Sequence, residues 1–219
     1  MNGYGQYCPI SRSAELLGDR WTLHIVRDLI TGTTRFNELI RGNPGLSRAL
    51  LSRRLDQLER AGIVSHDPDG TYLLTQAGQD LKSLVFDLAT WGARWAFGEP
   101  EPEELDPDLL LWWLHRRLDA TELPDPRYVI FVNFSDHPKR YWIVVEDEPS
   151  LCLVDPRFDV DLTLRSDRST LYRTYLGQQS LSDAFRAGDI DLVGSNAAVR
   201  SFLQAFHPSP VAAIVAEET

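Results

Sequence analysis

Apolar residues recur at helical spacing through most of the first 95 residues, and one short stretch alternates instead. The spacing predicts helices Ile10–Leu17, Trp21–Leu29, Phe36–Ile40, Ser47–Ala61 and Gln76–Trp95, and strands Ile63–Ser65 and Tyr72–Leu74. Asp69 and Gly70 lie between the two strands, and an Asp-Gly pair between apolar segments is typical of a tight hairpin. The predicted order is therefore four helices, a hairpin and a long final helix.

The second half of the chain mixes strand-like and helix-like patterns. It predicts a helix over Asp108–Leu118, strands Tyr128–Phe134, Tyr141–Val145, Leu151–Val154 and Val160–Leu164, helices Ser169–Leu176 and Ser180–Ala187, strand Ile190–Val193 and helix Asn196–Phe206. Gly177 and Gly188 are placed to end the two middle helices, because glycine readily adopts the left-handed conformation there. This mixed order predicts an α+β domain.

Composition changes near residue 98. The segment Gly98–Glu104 alternates proline and glutamate, which favours an extended connector, so we predict an N-terminal domain over 1–98, an acidic linker over 99–107 and a C-terminal domain over 108–219. The net charge of −10 arises in the second part: residues 1–98 hold eleven basic and ten acidic residues, and residues 99–219 hold eleven and twenty-two. An acidic chain would argue against nucleic acid, but the near-neutral N-terminal domain does not.

The fourth predicted helix separates apolar from basic side chains. Burying the stripe of Leu51, Leu55 and Leu58 would expose arginines on the opposite side, near the end of the helix that reads base edges in the major groove. Arginine can bind guanine through two hydrogen bonds. A solvated charged face is the alternative, and the order of helix, turn, helix and hairpin favours DNA. The predicted DNA-binding residues are Arg35, Ser47, Arg48, Ser52 and Arg53, with Arg35 on the phosphate backbone.

Several motifs of the N-terminal domain are similar to one family. The runs Tyr7-Cys8-Pro9-Ile10, Leu17-Gly18-Asp19-Arg20-Trp21-Thr22, Arg35-Phe36-Asn37-Glu38-Leu39, Gly45-Leu46-Ser47 and Leu51-Ser52-Arg53-Arg54-Leu55 resemble the HxlR family of bacterial regulators over residues 5–97. The resemblance implies a winged helix-turn-helix domain, a homodimer built by the first and last helices, and a pseudo-palindromic double-stranded DNA operator with half-sites about 34 Å apart. It also implies a tendency to repress. The sequence departs from the family at the wing, where Asp67 and Asp69 make the tip acidic.

The two cysteines, Cys8 and Cys152, are far apart and suggest neither a disulfide framework nor a metal site. The HxlR resemblance implies a sensor of oxidants or electrophiles at Cys8, because some members of the family use a cysteine at this place. A small hydrophobe retained with the motif is the alternative. Cys152, between Leu151 and Leu153, is predicted to lie in the core.

The C-terminal domain shows no catalytic set and no phosphate-binding loop, so we predict neither an enzyme nor a cofactor. Leu176-Gly177, the run from Ala184 to Gly194, and Phe202 and Phe206 are similar to the sterol carrier protein fold. That resemblance implies a five-stranded sheet whose face and helices enclose an apolar cavity for a hydrophobic molecule. The candidate lining residues are Trp112, Trp113, Phe131, Trp142, Tyr172, Leu176 and Phe185, and ordinary core packing is the alternative for them.

Three functions stay open at this point. The first is a homodimeric DNA-binding regulator, a repressor by family tendency, that responds to a hydrophobic effector in the C-terminal domain. The second is the same regulator with Cys8 as the sensor. The third is a lipid-binding carrier or an enzyme whose winged helix serves only as a protein-interaction surface. With neither a signal-peptide pattern nor an apolar stretch of roughly eighteen residues, we expect a cytoplasmic protein and no membrane partner.

Overall fold

A computed structural model describes residues 3–124 and 126–218. The chain forms two compact units that divide between Ala89 and Thr90. This division lies nine residues before the compositional boundary at 98, because the end of the last N-terminal helix belongs with the second unit. There, Arg94 donates to Glu218 from Nε at 2.8 Å and from Nη2 at 2.5 Å. Each unit is described by itself below.

The first unit is helical with one hairpin. Its elements are α1 (Pro9–Leu17), α2 (Thr22–Ile30), α3 (Phe36–Arg41), α4 (Arg48–Arg60), β1 (Val64–His66), β2 (Tyr72–Leu74), α5 (Gln76–Gln79) and α6 (Leu81–Trp95), which continues past the division. β1 and β2 are antiparallel, as the Asp-Gly turn predicts. The core of the unit lies between α2, α3, α4 and the hairpin, with Ile25, Val26, Leu39 and Leu51 fully buried.

One predicted helix of this unit is two helices. The prediction of a continuous helix over Gln76–Trp95 is wrong, because α5 ends at Gln79 and α6 begins at Leu81. The Thr75 hydroxyl caps α5 by accepting from the Gly78 amide at 3.3 Å. Gly78 lies so close to the hairpin that a Cβ there would come within 2.3 Å of the Ile63 carbonyl oxygen. The short helix therefore packs tightly against Ile63, just before β1, and against Leu74 of β2, and the chain starts a new helix to leave them.

The second unit is a five-stranded sheet with helices. Its elements are 3-10 turns Pro102–Glu104 and Ala120–Glu122, helices α7 (Pro107–His115), α8 (Arg168–Leu176), α9 (Leu181–Ala187), α10 (Asn196–Ala205) and α11 (Ala212–Glu218), and strands β3 (Tyr128–Phe134), β4 (Arg140–Val145), β5 (Pro149–Cys152), β6 (Leu162–Ser166) and β7 (Asp191–Gly194). The strand order is β5-β4-β3-β6-β7, and only β3 and β6 are parallel. The α+β prediction is confirmed. Among the described residues, no helix is both long and apolar enough to cross a bilayer.

The sheet of the second unit has two different faces. Alternate residues of β3 and β4, such as Ile130, Val132 and Ile143, point into the main core, which they share with α7, α8, α9 and α10. The residues between them, including Phe131 and Trp142, therefore point to the opposite face, which we call the outer face.

Four details of the second unit differ from the sequence prediction. The linker is not wholly extended, because Glu101 and Glu104 cap each other's backbone around a 3-10 turn. The fourth strand begins at Leu162 rather than Val160, since the Asp161 carboxylate accepts from the Val129 amide at 2.8 Å just before it. Helix α11 was not predicted. Cys152 is partly exposed at the end of edge strand β5 rather than buried.

Candidate nucleic-acid interface

Helix α4 has the polarity that the sequence predicts. Ser47 caps it, accepting from the Leu50 amide at 3.2 Å. The stripe Leu51, Leu55 and Leu58 is 0%, 1% and 2% exposed. As a result, the other side of the helix faces solvent and presents Arg48, Ser52 and Arg53.

The two arginines of the exposed side are in different states. The guanidinium of Arg48 lies 5.1 Å from the centre of the Phe36 ring, a cation–π contact between α4 and α3, and the residue remains exposed. Arg53 has no hydrogen bond or ion pair within the described part of the chain. Both are available to an incoming acceptor.

Arg54, beside Arg53, is buried and paired within the fold, a structural role that the sequence pattern did not lead us to predict. Its buried guanidinium forms an ion pair with Asp19, donates to the Gln57 side chain at 2.7 Å and to the Arg20 carbonyl at 3.3 Å. The signal was present, because position 54 is three residues after Leu51 and four before Leu58. Arg54 therefore fastens α4 to the segment before α2.

A buried polar pair fixes the turn before α4. The Asn43 amide donates to the Asp28 carboxylate at 2.6 Å and to the Leu39 carbonyl at 2.8 Å. Arg27 donates to the same carboxylate from Nε at 2.8 Å and Nη2 at 2.7 Å. Burial raises the pKa of Asp28, while Arg27 and Asn43 partly oppose that rise. The pair ties the end of α2 to the turn that orients α4.

The hairpin holds the remaining predicted contact, Arg35. Its guanidinium donates to the backbone oxygen of Asp69 at 2.6 Å and lies 3.4 Å from the Asp69 carboxylate. The Tyr72 amide donates to the Thr34 carbonyl at 2.9 Å in the same connection. Hydrogen bonds from Thr71, followed by the charge of Arg35, lower the pKa of Asp69. Arg35 is thus exposed but engaged, whereas Arg53 is exposed and unengaged.

Cys8 lies at the start of helix α1. The backbone amides of Ser11 and then Ile10 lower the pKa of its thiol below the usual value. The side chain is partly exposed and forms no disulfide.

The seven predicted lining residues do not share one surface. Tyr172 is in the core, and Trp113, Leu176 and Phe185 pack against it on the helix side of the sheet. Phe131 and Trp142 contact each other on the outer face, with ring centres 5.2 Å apart. Trp112 on α7 is buried, and its ring centre is 5.0 Å from that of His115. Five of the seven lie on helices α7, α8 and α9, and only Phe131 and Trp142 lie on strands. Sequence spacing could not separate these groups, because it does not show which face of the sheet the helices cover.

Helix α6 is amphipathic but has no buried residue among those described. Leu84, Leu88, Trp91 and Trp95 recur at spacings of four, three and four residues, which places them on one face, and they are 45%, 48%, 59% and 70% exposed. Large apolar faces of this kind mark interaction surfaces.

These features define a class. A capped, arginine-bearing helix that follows a buried turn and precedes a hairpin is the architecture of a winged helix-turn-helix DNA-binding protein.

Comparisons with known proteins agree with this class. The profile of the HxlR-like helix-turn-helix family matches residues 16–99, and that of the alkyl sulfatase C-terminal family matches residues 102–212. An uncharacterized HTH-type transcriptional regulator of Mycobacterium bovis is 37% identical over 126 residues, which cover 55% of this chain and 73% of that protein. The uncharacterized HTH-type regulator YvaP of Bacillus subtilis is 33% identical over 97 residues, or 41% of this chain and 90% of that protein. The crystal structure of quinone-bound YodB from B. subtilis is 32% identical, covers 39% of this chain and 96% of that chain, and has a TM-score of 0.37.

The chain belongs to the HxlR-like helix-turn-helix family and carries an alkyl sulfatase C-terminal domain. It is a transcriptional regulator of the winged-helix type. The likeness of the second domain to sterol carrier proteins stays a prediction.

Proposed function

We propose that the protein is a homodimeric repressor that reads a pseudo-palindromic operator with helix α4 and releases it when a hydrophobic small molecule binds the C-terminal domain. Arg48 and Arg53 read bases, Ser52 contacts base or phosphate, and Arg35 contacts the phosphate backbone. Ser47 serves first as the cap of α4 and brings its backbone close to DNA.

The DNA-binding part of the proposal is supported by the different environments of two adjacent arginines on α4. Arg54 is used inside the fold, whereas Arg53 points to solvent without a partner in the described chain. An unpaired arginine can bind guanine without first breaking an internal contact. Arg48 lies one helical turn before Ser52 on the same side and extends the surface toward the start of the helix.

The homodimer rests on α6. A second copy of the same helix would cover its face of Leu84, Leu88, Trp91 and Trp95, which a monomer leaves in water. A pseudo-palindromic operator requires the two α4 helices of such a dimer to lie about one DNA turn apart, roughly 34 Å.

The DNA-reading residues can be tested on a duplex selected by the wild-type protein from a random pool. We expect Arg48→Ala and Arg53→Ala each to weaken binding about 10- to 100-fold at fixed salt and to relax base preference at one position of each half-site. Arg60→Ala, at the other end of α4, is the matched control and should cost less than about threefold. Unchanged affinity in both variants would contradict the assignment, as would failure of the wild type to select any sequence.

The dimer can be tested by sedimentation. Replacing Leu88 and Trp91 by serine should shift the protein from dimer to monomer, because the substitutions remove apolar area from the centre of the face. The monomer should also lose its preference for two half-sites over one. A dimer that survives both substitutions would place the interface elsewhere.

A second candidate function is supported by Cys8. The lowered pKa of its thiol favours the reactive thiolate, so oxidation or alkylation at Cys8 is an alternative signal for DNA release. Cys8→Ser should abolish release by a quinone or peroxide, while Cys152→Ser, which changes the other free thiol, should not. Release that survives in Cys8→Ser would eliminate this candidate.

A further inference from the structure

An uncharged row of side chains crosses the outer face of the C-terminal sheet. The strand registers pair Cys152 with Trp142, Trp142 with Phe131, Phe131 with Thr163, and Thr163 with Val193, so the row spans all five strands. Every member is at least partly exposed, and Val193 is 46% exposed. The middle of the row is the aromatic pair of Trp142 and Phe131.

This face differs from the side that carries the helices. On the helix side, the core residues Ile130, Ile143 and Leu162 are 0% exposed, and α7, α8 and α10 cover them. On the outer face, Val129 and Val144 are buried, but the two aromatic rings in the next row are not fully covered. The two rings are tilted by 37° to each other, so a planar molecule can stack on one ring while its edge contacts the other.

The row beside the aromatic pair supplies a charge. Register pairs Arg140 with Asn133, Asn133 with Arg165, and Arg165 with Asp191, so these four lie on the same face. Arg165 is engaged by Asp191 at 3.3 Å. Arg140 is exposed and forms no hydrogen bond or ion pair within residues 3–124 and 126–218.

Distances along the sheet make this arginine relevant to the rings. Trp142 and Phe131 are on neighbouring strands, about 4.8 Å apart, which matches the width of a fused aromatic ring system. Arg140 is two residues from Trp142, about 7 Å along the strand, and an extended arginine side chain spans that distance. A ring stacked on the aromatic pair could therefore direct an acidic substituent to the Arg140 guanidinium.

We propose that the outer face binds a planar aromatic carboxylate, with its rings on Trp142 and Phe131 and its carboxylate on Arg140. This rests on the proposed function, because it identifies the class of effector and moves its site from the helix side to the outer face. Charge complementarity selects the occupant. One unpaired cation beside an uncharged aromatic row fits a single carboxylate. A nucleic acid is disfavoured, since residues 99–219 hold twenty-two acidic and eleven basic residues.

The proposal is tested by calorimetry on the full chain with 2-naphthoate and its neutral analogue 2-naphthamide. We expect saturable binding of naphthoate at one site per chain and at least fivefold weaker binding of naphthamide. Arg140→Gln should weaken naphthoate about tenfold and leave naphthamide unchanged, because only the charged group loses its partner. Trp142→Thr should weaken both compounds about tenfold, since threonine suits a strand but offers no ring.

A control variant shows whether the two compounds bind at the outer face. Arg186→Gln, on helix α9 at the other side of the sheet, should leave both affinities unchanged. Equal binding of the two compounds, no naphthoate binding at millimolar concentration, or unchanged affinity in Arg140→Gln would overturn the proposal. A shift of oligomeric state in Trp142→Thr would also overturn it, because the face would then contact a second copy. Since no DNA is present, these results are independent of whether α4 reads an operator.

Discussion

Helix α4 and the β1–β2 hairpin are the two elements that the winged-helix unit can offer to DNA, and they treat their arginines differently. On α4, Arg53 is exposed and unpaired within the described chain. At the hairpin, Arg35 is exposed but held by Asp69. Two exposed arginines of equal charge can therefore differ in how readily they bind DNA. The difference favours sequence reading by α4 and makes the hairpin a weaker contact that must first release its arginine.

The largest effect is expected inside α4, where the adjacent arginines should separate stability from binding. Arg54→Ala removes the buried partner of Asp19, Gln57 and the Arg20 carbonyl, so we expect unfolding free energy to fall by about 2–3 kcal/mol. Arg53→Ala should change stability by less than about 0.5 kcal/mol, because it removes an exposed side chain without a partner in the described residues. Urea unfolding followed by circular dichroism measures both.

The contrast has a clear failure condition. If Arg53→Ala destabilises the protein as much as Arg54→Ala, then Arg53 is part of the fold. Its effect on DNA would then not report base reading. If both variants unfold with the wild-type free energy, the contacts of Arg54 contribute little to stability, and the buried leucines alone hold α4 in place.

The same pair of arginines shows how far the sequence pattern could reach. The leucine stripe, the Ser47 cap and the hairpin turn are local signals, and each predicted its element correctly. The burial of Arg54 followed from the same spacing, but its partners Asp19 and Arg20 are more than thirty residues away and depend on how α4 packs. Local periodicity predicts which side of a helix is buried. It does not predict which residues of other elements the buried side contacts.

The C-terminal unit shows the limit more strongly. Its strands and mixed α+β class were predictable, because each strand has its own apolar run. The grouping of Phe131 with Trp142, apart from Tyr172, was not, since it depends on the register between β3 and β4. Helix α11, which was not predicted, follows two prolines at 208 and 210.

The second prediction removes the charged partner of the hairpin arginine. Asp69→Asn should raise operator affinity about fivefold and steepen its dependence on salt by about one unit in the log–log slope. Arg35 then keeps only its hydrogen bond to the backbone oxygen of residue 69, and without the ion pair it can turn to a phosphate. Asparagine keeps an oxygen for the Thr71 amide, which Asp69 accepts at 3.0 Å, so the turn should persist. Fluorescence anisotropy at several salt concentrations gives both quantities.

Asp67→Asn is the matched control for this prediction. It removes an acid from the same turn, but Asp67 is not the residue that binds Arg35. A gain of equal size in both variants would mean that the tip acts only through its total charge. A gain confined to Asp69→Asn would show that the contact itself limits the hairpin.

The smallest effect is expected at Asp28, the buried acid that fixes the turn before α4 and does not contact the hairpin. Because burial raises the pKa of Asp28, the folded state holds this proton more tightly than the unfolded state. The contribution of Asp28 to the free energy of unfolding is therefore most favourable below the ordinary pKa of aspartate. It is lost as pH rises through the higher pKa of the folded state.

Asp28→Asn removes that pH dependence, while the side-chain oxygen of the asparagine can still accept from Asn43. We expect the free energy of unfolding of this variant to lie within about 1 kcal/mol of the wild-type value at pH 7. Relative to the wild type, the variant should become more stable between pH 4 and 7. Urea titrations at pH 4, 5.5 and 7, with the exposed Asp87→Asn as control, measure this trend. A relative loss of stability with rising pH would mean that Arg27 and Asn43 outweigh burial, so that the charged carboxylate itself holds the turn before α4.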